Sequence, residues 1–299
     1  MDSPMTELTR HWLLDGVITG PALQRSNTRT TVAIHSDQGR FVVKTYDEAP
    51  ALGLVHPSAA EIDQHLSIFD HLADTGFGHA PVLLRTRLQE RFAHSDGRII
   101  YVLQQIAGSI PPDTPGTWAE FGRLAARLNA NPDYPHAYGI PVAGTIAELT
   151  RQARDYPFEH EFLDLVATLG VLANQPTGLI HAEINPANAI LSPDGRLTLL
   201  DWDQAGTGPW VLEAGYPLLA HFLTEDLAFH RESAAAFYDT YTGGRGLTAD
   251  QRELVFTAAL LHALRYLRFG DPARRWARIR FALAHRDEFL AAMTEILGP

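Results

Sequence analysis

The chain has 299 residues, 45% of them hydrophobic, a formal net charge of -11 and no cysteine. That length and apolar content fit one large or two modest cores, and the missing thiols exclude disulfides, thiolate nucleophiles and cysteine-ligated metals. The acidic balance disfavours a general nucleic-acid surface, which depends on basic neutralisation of phosphate, and is compatible with a cationic substrate. No apolar run approaches bilayer-spanning length. The amino-terminal MDSPMTELTRHW has acidic residues and no long apolar stretch of the signal-peptide kind, so a cytoplasmic protein is expected.

In chain order, Thr6 to Leu14 predicts a short helix, followed by a strand-like passage through Val17 and Ile18. Arg25, Ser26, Asn27 and Thr28 form a polar connection to the alternating strand Thr30 to His35. Asp37-Gln38-Gly39 is a turn signal, and Phe41 to Tyr46 is the returning strand, which carries Lys44. Ser58 to Ala73 predicts a helix with Ile62, Leu66, Phe69 and Leu72 on its apolar face and Glu61 near the candidate N-cap Ser58. Pro81 to Arg87 and Ile99 to Gln104 read as strands around the polar turn AHSDG, and Gln104 to Gly108 reads as a connection between two lobes.

Beyond Pro111-Pro112-Asp113-Thr114-Pro115, Thr117 and Glu120 have capping-box spacing before an apolar helix face of Trp118, Phe121, Leu124 and Leu128. Residues 131 to 144, with Tyr134, His136 and Tyr138, form a packed loop rather than a recognition element. Helical segments follow over Ile146 to Arg154 and Glu159 to Ala173. Leu179 to Asp201 then reads LIHAEINPANAILSPDGRLTLLD: two apolar segments flank a polar loop containing His181, Glu183, Asn185 and Asn188, and an SPDG turn reverses the chain before Asp201-Trp202-Asp203. The remainder predicts helices over Tyr216 to Phe222 and Ser233 to Tyr241, one capped by Thr248 and Gln251, and one begun by Pro272. Arg274, Arg275, Trp276 and Arg280 of that last helix read as a solvated face.

The central loop resembles the aminoglycoside phosphotransferase and choline kinase family, small-molecule kinases with the protein kinase fold. Their catalytic loop reads H-G-D, four residues, N, then a short hairpin and I-D-W or I-D-F. Here the match is His181-Ala182-Glu183, four residues to Asn188, and Leu200-Asp201-Trp202. Two residues depart from the pattern: Glu183 stands where the family has its catalytic Asp, and Ala182 where it commonly has Gly, which makes a positive φ harder to adopt. Glu213 is a third departure, falling near the family's usual Asp before a hydrophobic helix, with a structural role expected.

The resemblance implies an α+β, two-lobed, protein-kinase-like fold: a β-rich N-lobe over residues 1–107 that covers nucleotide, and a helical C-lobe over residues 108–299. It implies ATP, with GTP left open, and Mg²⁺. Lys44 would contact the nucleotide phosphates, the bland alternative being a surface lysine on an edge strand. Glu61 would pair with Lys44 or stabilise its own helix start. Ser26 and Asn27 would cover phosphates or form a solvated turn, and backbone atoms at Gln105 and Ile106 would meet adenine.

Within the loop, Glu183 would orient or deprotonate the nucleophile, and Asn188 and Asp201 would supply hard oxygen ligands to Mg²⁺. His181 would brace the loop. Asn185 would face substrate or stabilise the loop, and Asp203 would approach magnesium or a substrate amine. The expected activity is ATP-dependent O-phosphotransfer to a small hydroxylated metabolite or antibiotic, a cationic one being compatible with the charge, with no nucleic-acid or membrane partner. Its alternative is a weakly active or inactive nucleotide-binding protein with a regulatory role.

Overall fold

The computed structural model describes residues 4–25, 29–47, 58–131, 134–137 and 141–297. Two compact units emerge, Met1–Ser109 with Ser192–Leu200, and Ile110–Leu191 with Asp201–Pro299.

The first unit runs through α1 (Pro4–Trp12), β1 (Ile18–Arg25), β2 (Arg29–Ser36), β3 (Gly39–Asp47), α2 (Ala59–Asp74), β4 (Leu83–Leu84), β5 (Ala93–Ser95) and β6 (Arg98–Gln104). Its strands make a six-stranded antiparallel sheet in the order β1-β2-β3-β6-β4, with β5 also paired to β6. Phe41 and Val43 of β3 join Ile34, Ile100 and Val102 in a core closed by Leu8, Trp12 and Leu14. Burying each large side chain in it contributes on the order of 1.5–3 kcal/mol. Successive residues of a strand point to opposite faces, so Lys44 leaves the face opposite Val43.

Two local features differ from expectation. The strand predicted over Pro81 to Arg87 is confined to Leu83–Leu84. Thr86 ends it, because its Oγ1 accepts the N–H groups of Leu88 (3.3 Å) and Glu90 (3.1 Å) and builds a turn in which Gln89 has φ 64°. Part of the AHSDG turn is instead strand, with Asp96 and Gly97 at φ 50° and 69° closing a tight β5-β6 hairpin.

The second unit begins with α3 (Pro115–Asn129), α4 (Val142–Gln152), α5 (Glu159–Thr168), β7 (Thr177–Ile180) and β8 (Ala189–Leu191). After β9 (Leu197–Leu199), which groups with the first unit, come β10 (Gly206–Pro209), α6 (Trp210–Pro217), α7 (Arg231–Thr242), α8 (Ala249–Arg265), α9 (Pro272–Ala284) and α10 (Arg286–Leu297). Thr114, not Thr117, caps α3: its Oγ1 accepts Thr117 N–H at 3.4 Å and Pro115 fills the first turn, where its missing N–H costs nothing. Thr248 and Gln251 make the reciprocal cap of α8 at 3.3 and 2.9 Å. Asp271 and Pro272 open α9 together.

Close approach at two glycines sets the helix packing. A Cβ at Gly122 would lie 2.2 Å from Phe237 O, which fixes α3 against α7. One at Gly215 would lie 2.6 Å from the Ala258 Cβ, so α6 rests directly on α8. Trp118 fills the adjoining core against Phe121, Phe222 and Phe237, with its indole N–H on Asp113 at 2.6 Å. Among the described residues, no helix is long and apolar enough to cross a membrane.

Candidate active site

β7 and β10 pair antiparallel, Ile180 opposite Gly206, and so clamp both ends of the stretch from His181 to Ala205. The carboxylate of Glu213, on α6, then takes the loop's first two N–H groups: Oε2 accepts from His181 N at 2.5 Å and Ala182 N at 2.9 Å. Ala182 sits at φ 61°, a left-handed conformation costing a non-glycine residue about 1–2 kcal/mol, and the two hydrogen bonds offset that cost. The His181 ring packs edge-on against Trp202, centroids 4.7 Å apart, which ties the loop's start to its far side.

The next turn is held by amides. Asn185 Nδ2 donates to Glu183 O (2.9 Å) and to the Tyr216 hydroxyl (3.0 Å), while its Oδ1 accepts Asn188 N–H at 3.1 Å. Asn188 Nδ2 also donates to Glu183 O, at 3.0 Å. Two amides thus pin the Glu183 backbone, and Asn188 is left with its carbonyl oxygen as the atom to offer. Asn185 is buried with all these contacts directed into the loop and α6.

The Glu183 side chain is half-buried, and Tyr266 donates its hydroxyl hydrogen to Glu183 Oε1. Burial raises the Glu183 pKa, and the carboxylates of Asp201 and Asp203 push the same way; the Tyr266 hydrogen bond and the Arg265 charge pull it back. Arg265 is itself steered by Gln204 Oε1 at 3.2 Å and faces His262 Nδ1 at 3.4 Å. His262 Nε2 donates to Leu212 O (2.9 Å), so the ring is the neutral Nε2–H tautomer, and burial depresses its pKa to about 3.

No group of three or more His, Asp or Glu side chains poised for a metal exists among the described residues. Asn188 and Asp201, the residues expected to ligate Mg²⁺, carry an amide oxygen and a carboxylate, donor types that suit a hard cation. Asp201, two residues beyond β9, stands at φ 57°, in the sparsely populated left-handed region.

A pocket of about 220 Å³ opens beside this loop. Its walls come from Tyr216 of α6, the π-helical turn Leu218–Phe222 that follows, the end of α8 and one face of α9. Tyr216 and Tyr266 belong at once to the pocket and to the loop, through Asn185 and Glu183 respectively.

Residues 19–255 match the phosphotransferase enzyme family. The chain belongs to that family. Among its relatives, a homoserine kinase of Parvibaculum lavamentivorans is 26% identical over 254 residues, 81% of this chain and 73% of that protein. An uncharacterized protein of Deinococcus radiodurans is 26% identical over 220 residues, 64% of this chain but 59% of that longer protein. The solved choline kinase of Cryptosporidium parvum Iowa II superposes with a TM-score of 0.63 at 10% identity, over 94% of this chain and 91% of that one. The likeness carries the fold: α+β and kinase-like, with an antiparallel sheet early in the chain and helices later.

The expected first-unit residues lie as follows. Lys44 is 8% exposed on β3, between β2 and β6, so it is not a surface lysine on an edge strand. Glu61 lies exposed on the helix start, where its Oε2 accepts from Ser58 N and Oγ at 2.7 Å in a reciprocal cap; those bonds lower its pKa. Gln105 N–H is committed to Arg40 O at 3.0 Å, and its side-chain Oε1 is buried without a hydrogen-bond partner. Ile106 follows as irregular chain. Ser26 and Asn27 lie outside the described residues.

Sequence reasoning missed Tyr216, Tyr266, Arg265, His262 and Arg278. Tyr216 alone had a local signal, one helical turn beyond Glu213; the others carry no motif. The basic α9 segment is only in part a solvated face. Arg274, Arg275 and Arg280 are exposed, but Trp276 is buried and stacks on Phe158 at 4.4 Å, and Arg278 turns inward.

Proposed function

We propose that this chain is a magnesium-dependent kinase using ATP to phosphorylate a hydroxyl of a small molecule, with Glu183 taking the hydroxyl proton. The observation that carries the reading is the contact between Glu183 and Tyr266. A carboxylate of raised pKa already accepts a hydrogen bond from a hydroxyl at the edge of a pocket, which is the interaction a reacting acceptor would make. The acceptor oxygen then forms its bond to the transferred phosphorus, the bond to the nucleoside diphosphate oxygen breaks, and the proton leaves to Glu183.

The amide web from Asn185 and Asn188 onto Glu183 O supports this role by fixing the backbone from which the longer side chain reaches. Asn188 and Asp201 would hold Mg²⁺, which supplies neutralisation of phosphate charge. Lys44 would hold the nucleotide phosphates, with backbone at Ile106 toward the base. Asp203 raises the negative potential around Glu183 and would approach magnesium or a substrate amine.

The deciding experiment measures nucleoside diphosphate formation by the parent, Glu183→Asp and Glu183→Ala over a panel of hydroxylated compounds. Loss of transfer in Glu183→Ala with retained nucleotide binding is expected. Equal rates in all three would overturn the role of Glu183, and nucleotide binding with no transfer to any acceptor would replace the enzyme reading with a nucleotide-binding one.

A further inference from the structure

We propose that the pocket beside the loop is the acceptor site and that it selects a small hydroxylated carboxylic acid, with Arg275 and Arg278 recognising the carboxylate. This rests on the kinase reading above and names its substrate class. The chemistry runs against the whole-chain charge of -11, because local walls, not the global sum, decide what a pocket holds.

Size comes first. An apolar cavity of ~150 Å³ accommodates benzene, and drug-sized ligands take ~300–1,000 Å³. At about 220 Å³ this pocket, open to solvent on one side, is of a size to enclose a metabolite a little larger than benzene.

Charge comes second. The lining includes two guanidinium groups and no Asp or Glu, so no carboxylate on its walls awaits a substrate ammonium. Its two histidines, His221 and His262, are neutral, with burial depressing their pKa values to about 4 and about 3. The acidic side chains around it are each engaged: Glu225 pairs with Arg274 at 2.6 Å, Asp113 accepts the Trp118 indole N–H at 2.6 Å, and Glu183 accepts the Tyr266 hydroxyl. Among the described residues neither Arg275 nor Arg278 forms an ion pair.

Arg278 is built in rather than draped over the surface. Its Nη2 donates to Leu219 O and Leu223 O at the two ends of the π-helical turn, which fixes the guanidinium plane. Its Nε is buried without a hydrogen-bond partner. A fixed guanidinium with donors left over is suited to a planar anion, and Arg275, one turn earlier on α9, provides a second positive group on the same wall. The same pocket is lined by Tyr266 and Tyr216, which contact Glu183 and Asn185, so an acid held there by the arginines lies within the site that adjoins the loop.

Isothermal titration with 4-hydroxybutyrate, 4-hydroxybutyramide and choline tests this, because the first two differ only in the charged group. The acid is expected to bind at least about 10-fold more tightly than the amide, as loss of charged hydrogen bonds implies. Arg275→Gln, an exposed position that leaves the turn intact, is expected to remove most of that preference. Arg278→Lys, which keeps the charge and loses the fork, is expected to weaken it, with a thermal melt verifying the fold. Equal or tighter binding of the amide or of choline would overturn the proposal, as would an unchanged preference in folded Arg275→Gln. Acid-selective binding with no nucleoside diphosphate formed on adding ATP and Mg²⁺ would sink the kinase reading alone. Transfer to choline but not to the acid would sink this inference alone.

Discussion

Glu213 holds Ala182 by its backbone, Oε2 to N–H at 2.9 Å, while Ala182 stands in the left-handed region at φ 61°. A glycine there would escape the ~1–2 kcal/mol cost borne by a side chain, yet lose ~0.5–1 kcal/mol to greater freedom in the unfolded chain. Ala182→Gly is therefore expected to be neutral or stabilising by up to about 1 kcal/mol. Urea midpoints measure it; a clear destabilisation would show that packing of the buried methyl group outweighs backbone strain.

Glu213 also makes stability depend on pH. Burial raises its pKa from 4.5 to about 7, with the Ala182 and His181 N–H groups opposing the shift and Glu183 adding to it. A carboxyl whose folded pKa is raised binds more protons folded than unfolded between those values, so its contribution falls as pH rises. Relative to Glu213→Gln, the parent is expected to lose on the order of 3 kcal/mol between pH 4.5 and about 7, at about 1.4 kcal/mol per pH decade. Parallel stability profiles for the two proteins would contradict the assignment.

Tyr266→Phe removes the hydroxyl that favours the ionised form of Glu183. The Glu183 pKa then rises further, and the acid limb of the kcat/KM profile is expected to move to higher pH. A simple loss of packing would lower the whole profile without moving that limb, so a pH series separates the two.

Asp201→Ala is expected to abolish the enhancement of nucleotide affinity by Mg²⁺, and Asn188→Ala to weaken it. Asn188→Ala also breaks the Nδ2 bond to Glu183 O, so it is expected to lower kcat as well. Titrating nucleotide with and without magnesium reads the first effect directly, and unchanged magnesium dependence in Asp201→Ala would reject the ligand role.

Gly215→Ala places a methyl 2.6 Å from the Ala258 Cβ and 2.8 Å from Ala259 N, where only helix separation relieves the clash. The expected cost is about 1–3 kcal/mol. Activity is expected to fall with it, because α6 carries both Glu213 and Tyr216. A variant as stable as the parent would mean that the α6-α8 contact relaxes freely.

The sequence by itself determined the β2-β3 hairpin, the capped helices and the order of the loop, while α6 over Trp210–Pro217 fell where an irregular connection reads from the sequence. Alternating apolar residues around Lys44, the capping pair Thr248 and Gln251, and the spacing from His181 to Asn188 and Asp201 are local patterns, and local patterns are written in neighbouring residues. Ends of elements followed less well, as Thr86 and Thr114 show, because one side-chain hydrogen bond moves a boundary. What only the tertiary structure decided is which distant groups meet. Tyr266 reaches Glu183 across 83 residues and Glu213 reaches Ala182 across 31. Arg278 turns from a helix surface into a pocket because the π-helical turn presents two carbonyls to it. Such pairings depend on helix crossings set by close contacts like Gly215 on Ala258, and no periodicity along the chain encodes the angle at which two helices meet.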